Sequence, residues 1–231
     1  KNLGGPAEGM RFITGTGGGT LPAGIDPKTL MVERSVPLEA MQTALLAWEM
    51  NGEPLPIAHG GPLRLIVPGY YGVNNVKYIK RLAFTAEESG ANIQTSGYRV
   101  RPIGQKGNPS QPSMWEMSVK SWVERPSGAG ETVKAGLVQV SGVAFAGTKA
   151  VKQVEVSTDG GKSWRRARFV GPDLGPYAWR QFVYPAKLGP GSYVIASRAT
   201  DASGAVQPEE RVENERAYAH NGWRDAAVKV T

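Results

Sequence analysis

A chain of 231 residues with 40% hydrophobic residues can bury one large core or two modest ones. It contains no cysteine, which excludes disulfides, thiolate metal ligands and cysteine nucleophiles within it. No apolar run approaches the roughly 18 residues of a transmembrane helix, so we expect no membrane span. The net charge of +7 is spread evenly along the chain: 11 Lys and Arg stand against 8 Asp and Glu up to Pro112, and 16 against 12 beyond it. An even excess of this kind favours phosphate, sulfite or an acidic protein as a partner over nucleic acid.

The first half of the chain contains a few short predicted elements. The Gly-rich stretch 15–24 has no strand before it and no GKS/T after it, so we interpret it as a surface loop rather than a phosphate cradle. Apolar spacing over 38–47 predicts a helix that is capped by Ser35 and has Pro37 in its first turn. Residues 63–67 alternate as a strand that ends at a Pro-Gly turn, while 76–82 fit either a helical turn or a strand.

The second half is richer in β-strand signals. Residues 104–112, GQKGNPSQP, have the composition of a linker. Five β-rich segments with turn residues between them follow: 133–143, 150–157, 163–170, 179–184 and 192–200. The clearest hairpin turns at Asp159-Gly160-Gly161, where the glycines supply positive φ angles. Regular short strands of this kind predict an antiparallel β-sandwich of immunoglobulin type, which favours an interaction module over a catalytic one.

Few residues form a recognisable catalytic pattern. The chain has two His, too few for a His-based metal site, and it lacks the G-x-S-x-G motif of a serine hydrolase. We interpret the acidic pairs 87–88 and 209–210 as solvated carboxylates. What remains is a group of cationic and hydrogen-bonding residues around one turn: His59, Arg64, Asn75 and Lys77.

Two interpretations of this group stay open from the residues alone. Strand alternation puts Arg64 on the face opposite Leu63 and Leu65, where it can point into a cleft. Lys77 follows two Asn residues in a loop, where its ammonium group can meet a phosphate. The alternative is that His59 caps a turn and that both cations are ordinary surface charges.

The wider sequence around these residues carries a family resemblance. The string 45–82, LLAWEMNGEPLPIAHGGPLRLIVPGYYGVNNVKYIKRL, resembles the molybdopterin-binding domain of the sulfite oxidase family in its NG-x-x-L-x-x-x-HG-x-P-x-R spacing and the VPG and VK that follow. In the second half, GETVKAG, VKQVEVSTDGGKSW, YAWRQF and NERAYAHNGW resemble the immunoglobulin-like dimerisation domain of the same family. The resemblance spans nearly the whole chain from about Ser35. It implies an α+β to mostly β fold with part of a molybdopterin-binding domain at 1–108 and an immunoglobulin-like sandwich at 109–231.

The resemblance also implies roles for particular residues. His59, Arg64 and Lys77 match residues that hold the pterin phosphate and ring of the molybdenum cofactor, and Asn75 completes that predicted group. Tyr98 matches a substrate-pocket tyrosine, with Tyr70 and Tyr71 as weaker rivals and a core aromatic role as the alternative. Arg216 matches a substrate arginine that comes from the second domain, the alternative being an ion-pair partner of Glu213.

The activity that the resemblance implies is molybdenum-dependent oxidation of sulfite to sulfate, with electrons passed to a c-type cytochrome. A periplasmic location and a homodimer, or a heterodimer with a haem subunit, are expected with it. Members of the family bind molybdenum through an upstream cysteine. Because this chain has none, we expect it to be the C-terminal portion of a longer enzyme whose N-terminal remainder supplies that ligand. The alternatives are a related molybdenum oxidoreductase acting on another sulfur compound or oxyanion, and a non-catalytic β-sandwich interaction protein.

Overall fold

A computed structural model describes residues 5–128 and 131–230, and the chain divides into two compact units. The first unit contains the residues up to Glu116 together with Asn214–Arg216. The second contains Met117–Glu213 and the residues from Ala217 onward. Within the described ranges, no helix is long and apolar enough to cross a membrane.

The first unit consists of short strands joined by tight turns. Its strands are β1 (Phe12–Gly17), β2 (Glu33–Pro37), β3 (Leu45–Ala47), β4 (Glu49–Met50), β5 (Glu53–Pro54), β6 (Arg64–Ile66) and β7 (Ile79–Thr85). The helix α1 (Pro27–Leu30), the 3₁₀ turns Leu38–Gln42, Ile57–His59 and Gly72–Asn74, and the π turn Ile93–Gly97 connect them. The strands form an antiparallel sheet in the order β2-β1-β7 and two small pairs, β3-β6 and β4-β5.

The helix predicted over 38–47 is wrong. Residues Leu38–Gln42 form one 3₁₀ turn, and the chain then extends into β3, where Leu46 lies opposite Leu65 of β6. Ser35 is a buried residue of β2 whose hydroxyl lies 2.7 Å from that of Thr14, so it caps nothing. Pairing with β6 outweighs a helical apolar spacing that is only ten residues long.

The other predictions for the first half had mixed outcomes. The strand predicted at 63–67 is confirmed as β6, with Leu65 buried. The region 76–82 takes its strand alternative, since it leads into β7. Residues 104–112, interpreted as a linker, are held in the first unit, where Gln111 O accepts from Arg99 at 2.9 Å and Pro112 O accepts from Val100 N at 2.8 Å.

The second unit is the expected antiparallel sandwich. Its strands are β8 (Lys120–Arg125), β9 (Gly136–Phe145), β10 (Val151–Ser157), β11 (Arg165–Arg166), β12 (Arg168–Val170), β13 (Arg180–Leu188), β14 (Tyr193–Asp201) and β15 (Val228–Val230). They form two four-stranded sheets, in the orders β11-β10-β14-β15 and β12-β13-β9-β8. The predicted hairpin is confirmed, because β10 pairs with β11 and both Gly160 and Gly161 have positive φ.

A buried glutamine joins the two sheets of the sandwich. Gln207 Oε1 accepts from the backbone N–H of Ser121 in β8 at 2.8 Å and from that of Ala199 in β14 at 3.2 Å. Its Nε2 donates to Ser121 O at 3.2 Å. The side-chain amide thus satisfies buried backbone groups from opposite layers, beside the apolar core of the sandwich.

Glycine at position 142 is required by packing. A Cβ there would lie 2.1 Å from Trp122 O and 2.6 Å from Cζ of the buried Phe182.

We predict that Gly142→Ala lowers the free energy of unfolding by about 1–3 kcal/mol, because the added methyl group overpacks the core. Urea denaturation followed by intrinsic fluorescence measures the change. Gly189→Ala is the control, since a Cβ there meets only the Tyr193 hydroxyl at 3.8 Å; equal losses in both variants would contradict the packing explanation.

Candidate cofactor site

Three of the four residues predicted to hold a cofactor line one cavity of the first unit. The cavity has a volume of about 420 Å³ and lies beside β6 and the chain that leads into β7. Arg64, Asn75 and Lys77 are in its wall. Further cavity residues that sequence reasoning missed include Tyr78, Lys80, Leu30 and Met31. The cavity therefore combines cations with an apolar wall.

The two cations are held by the 3₁₀ turn Ile57–His59. Arg64 Nη1 donates to His59 O at 3.0 Å, and Lys77 Nζ donates to Ala58 O at 2.6 Å. The backbone of Tyr78 also donates to Gly60 O at 3.1 Å. His59 itself has an exposed side chain and is not part of the cavity wall. The backbone carbonyl of His59, rather than its ring, therefore contacts Arg64.

Glycine at position 60 allows this approach. Its φ angle is +102°, in the region that favours glycine. A Cβ there would lie 2.8 Å from Lys77 Cγ and 3.2 Å from Arg64 Cδ. Any side chain at this position would push the two cations away from the turn. The HGG segment is therefore explained by close packing beside the cavity.

The guanidinium of Arg64 contains a donor that the protein does not satisfy. Its Nε is buried and has no hydrogen-bond partner. A buried donor left unpaired costs about 1–3 kcal/mol, and more when the group is charged. An anionic group beside Arg64 and Lys77 would remove that cost through charge-assisted hydrogen bonds if the Arg64 side chain turned its Nε toward the cavity. The donors and the apolar wall fit a partly flat, phosphate-bearing ligand such as a pterin cofactor.

Asn75 lies in the cavity wall but its side chain is already engaged. Its Oδ1 accepts from Val67 N at 2.7 Å, and its Nδ2 donates to Tyr71 O at 3.3 Å. These bonds close the turn that follows β6 and direct the chain toward Lys77. The side chain of Asn75 therefore positions the cavity wall through the backbone.

The largest fully buried side chain of the first unit was not singled out from the sequence. Arg34 in β2 is 1% exposed, and its guanidinium donates to Asn74 Oδ1 at 3.0 Å, Ile93 O at 2.9 Å and Ser113 Oγ at 3.2 Å. Burial lowers the pKa of Arg34 to about 10, helped by the nearby Arg99 cation, so it remains charged at neutral pH. No local pattern marks the residue, because its partners lie far away in the chain.

Tyr98, the predicted substrate-pocket residue, lies next to this arginine. The Arg34 Cζ atom is 5.9 Å from the centre of the Tyr98 ring, within the range of a cation–π contact. The ring is partly buried and follows directly on the π turn Ile93–Gly97. Such turns often occur at functional sites. The catalytic role of Tyr98 stays a prediction.

An ion pair between Arg99 and Glu88 supports the same region and corrects one expectation. Glu88, interpreted as a solvated carboxylate, accepts from the buried Arg99 at 2.5 Å and also from Gln94. Its side chain is partly buried, with 24% of its surface exposed. Arg99 Nε donates in addition to Gln94 O at 2.8 Å. Glu88 therefore stabilises the π turn before Tyr98, whereas its neighbour Glu87 is exposed as expected.

Arg216, the other predicted catalytic residue, belongs to a short segment of the first unit, Asn214–Arg216. Within it, Glu215 N donates to Arg101 O at 3.0 Å, and Glu215 Oε2 accepts from Gly104 N at 2.6 Å. The Arg216 side chain is exposed and is not in the wall of the cavity. Its role toward a substrate also stays a prediction.

Comparisons with known proteins agree with the division into two units. Residues 4–93 match the family model for the oxidoreductase molybdopterin binding domain, and residues 111–231 match that for the Mo-co oxidoreductase dimerisation domain. The chain is 36% identical over 222 residues to mitochondrial sulfite oxidase of Homo sapiens, and 34% identical over 174 residues to sulfite oxidase of Gallus gallus. These alignments cover 89% and 71% of the chain, but 41% and 38% of the relatives.

A solved structure is similar over the whole chain. The sulfane dehydrogenase SoxCD from Paracoccus pantotrophus superimposes with a TM-score of 0.79 at 28% sequence identity. The alignment covers 100% of this chain and 59% of that one.

The buried guanidinium gives a prediction about stability. We predict that Arg34→Met lowers the free energy of unfolding by about 3 kcal/mol or more, because it leaves several buried acceptors unpaired. Chemical denaturation of the purified protein measures the loss. Arg81→Met on β7 is the matched control, since Arg81 is exposed, and it should change stability by less than about 0.5 kcal/mol. A similar small change in both variants would mean that the Arg34 network adds no net stability.

Proposed function

We propose, from the premise that this chain belongs to the sulfite oxidase family of molybdenum oxidoreductases, that it is part of an enzyme oxidising sulfite to sulfate. Sulfite gains an oxygen atom that water ultimately supplies, and two protons and two electrons are released. We propose a c-type cytochrome as the acceptor and the periplasm as the location. The observation that carries the proposal is the cavity where Arg64 and Lys77 converge beside a buried, unsatisfied donor.

The residues of the cavity fit the anionic end of the cofactor. When bound, the molybdenum cofactor supplies oxygen-atom transfer and accepts the two electrons. Arg64 and Lys77 would hold its phosphate, and the unpaired Nε of Arg64 would gain a partner. His59 would contribute through its backbone carbonyl, which accepts from Arg64, and Asn75 by closing the turn that precedes Lys77. Within the described residues, no cluster of three or more acidic or His side chains offers a metal site.

Tyr98 and Arg216 are proposed to act on the substrate. A guanidinium can bind two sulfite oxygens at once, which suits Arg216. The phenol of Tyr98 can donate a hydrogen bond or relay a proton. Tyr98 directly follows the π turn, and its ring lies against the Arg34 guanidinium at 5.9 Å.

Oxidation of sulfane sulfur is the second candidate function. It is favoured by the structural similarity to the sulfane dehydrogenase SoxCD, which extends over the whole chain. The two candidates are separated by assaying cytochrome c reduction by the intact protein with sulfite and with a protein-bound sulfane. Turnover of the sulfane alone would favour the second candidate. Absence of molybdenum from the intact protein would contradict both.

The cavity gives a prediction about cofactor retention. We predict that Lys77→Gln lowers molybdenum content after exhaustive dialysis, with the cofactor binding at least about tenfold more weakly, because one charge-assisted hydrogen bond is lost. Elemental analysis of molybdenum per chain measures it. Lys106→Gln is the control, since Lys106 is exposed and lies outside the cavity. Full occupancy in an Arg64→Gln and Lys77→Gln double variant would rule out the cavity as the phosphate site.

Tyr98 gives a prediction about turnover. We predict that Tyr98→Phe keeps its molybdenum but lowers kcat by about 100-fold, because a proton donor at the substrate is lost. Steady-state sulfite oxidation and elemental analysis together measure this. Tyr70→Phe, at the buried rival in the core, should leave kcat unchanged. An unchanged kcat in Tyr98→Phe would assign Tyr98 to packing alone.

A further inference from the structure

One edge of the second unit carries a line of exposed cations that the proposed catalysis does not use. They lie within seven residues of sequence, in a stretch where no Asp or Glu occurs between Asp159 and Asp173. We call them the basic strip: Lys162, Arg165, Arg166 and Arg168. The strip contains β11 and enters β12, and each of these strands stands at the end of its sheet. The cations therefore follow a free edge of the sandwich.

The basic strip has no acidic partner within the part of the chain that the structure describes. None of its four side chains belongs to an ion pair there. The carboxylates nearest in the sequence bind other groups: Glu155 Oε2 accepts from Arg198 Nε at 2.9 Å, and the Asp159 carboxylate accepts from Ser163 N at 2.9 Å and Ser163 Oγ at 2.6 Å. The like charges of the strip repel each other, and carboxylates from outside would offset that repulsion.

The backbone beneath the strip is held in place by aromatic packing. The guanidinium carbon of Arg198 lies 4.4 Å from the centre of the Trp164 ring, and the Trp223 ring centre lies 5.1 Å from it with edge-on geometry. Gly161 allows the approach of Trp223, since a Cβ there would lie 2.3 Å from Cη2 of that ring. A segment ordered in this way loses little conformational entropy when it binds a partner.

The directions of the cations exclude a small anion as the partner of the whole strip. Successive residues of a strand point to opposite faces, so the side chains of Arg165 and Arg166 diverge. Arg166 lies opposite Glu155 in β10, whereas Arg168 begins β12 in the other sheet. Charges spread in this way cannot converge on one phosphate or sulfite, and they fit an extended anionic surface.

The aromatic content of the strip disfavours nucleic acid as that surface. Proteins that bind single strands stack bases on open aromatic rings. The only aromatic residue between Lys162 and Arg168 is Trp164, whose ring already contacts Arg198 and Trp223. The remaining polyanion of suitable extent is a protein surface rich in Asp and Glu.

We propose that the basic strip is the docking surface for an acidic protein, whose carboxylates lie against its four cations. Complementary charge of this kind raises the rate of encounter and sets the orientation of the partner. Each exposed ion pair is weak, so several must form together, and added salt screens them. The inference concerns the second unit alone and does not depend on sulfite turnover.

The test measures the binding of fluorescently labelled poly-L-glutamate to the purified intact protein by fluorescence anisotropy. We expect binding at about 0.02 M sodium chloride that weakens at least about tenfold at about 0.3 M. We expect the triple variant Arg165→Gln, Arg166→Gln and Arg168→Gln to bind about tenfold more weakly at the lower salt, because three exposed ion pairs are lost.

The matched control removes the same charge from other exposed positions of the same unit. It is the triple variant Lys134→Gln, Lys149→Gln and Lys187→Gln, which should bind within about threefold of the wild-type protein. Circular dichroism checks that both triple variants are folded.

Four results would overturn the inference without touching the catalytic proposal. The first is a wild-type protein that does not bind poly-L-glutamate at the lower salt. The second is an equal loss in both triple variants, which would assign the binding to net charge. The third is loss of binding when the three arginines are replaced by lysine, since the charge is then unchanged. The fourth is tighter binding of single-stranded DNA than of poly-L-glutamate, with both weakened by the arginine-to-glutamine variant.

Discussion

The buried guanidinium of Arg34 is the constraint on which the first unit depends. It joins strand β2 to the turn at Asn74, to the π turn at Ile93 and to the chain around Ser113. A cation in the interior must be surrounded by acceptors at hydrogen-bonding distance, so each of these segments has one allowed position. Asn74 directly precedes Asn75 of the cofactor cavity, and the π turn directly precedes Tyr98. The two ends of the proposed site are therefore placed by one buried charge.

The two units are stabilised in different ways. The sandwich has an apolar core with one glutamine joining its sheets, so hydrophobic burial accounts for most of its stability. The first unit has a smaller apolar core and places charged groups beside it, with Arg34 and Arg99 both buried. Removing one member of such a network is costly because its partners stay buried and unpaired, so the network holds its groups in one arrangement. A unit that must hold a large anionic ligand benefits from that specificity.

Local signals predicted part of this structure. Period-two alternation found β6, and β-rich composition between turn residues found most strands of the sandwich. Paired glycines found the β10-β11 turn. All of these signals lie within a few residues. The spacing around His59 also selected Arg64, Asn75 and Lys77, which the fold brings into one cavity. The network around Arg34 could not be found in this way. Its partners are 40 to 80 residues away in the chain. The local sequence around a polar strand residue does not show whether its side chain is buried. The prediction of a helix at 38–47 was wrong for the same reason, because the pairing of β3 with β6 joins residues that are far apart in the sequence.

If the proposed cofactor pairs with the unsatisfied Nε of Arg64, ligand occupancy is linked to the stability of the fold. Without a partner, the buried donor is a site of local frustration in the first unit. A ligand that supplies an acceptor there binds the native chain and not the unfolded one, so it shifts the folding equilibrium by mass action. The empty protein would consequently be the form that opens most readily and that proteases degrade first. Loading would then act as a maturation step, after which the ligand is a structural part of the first unit.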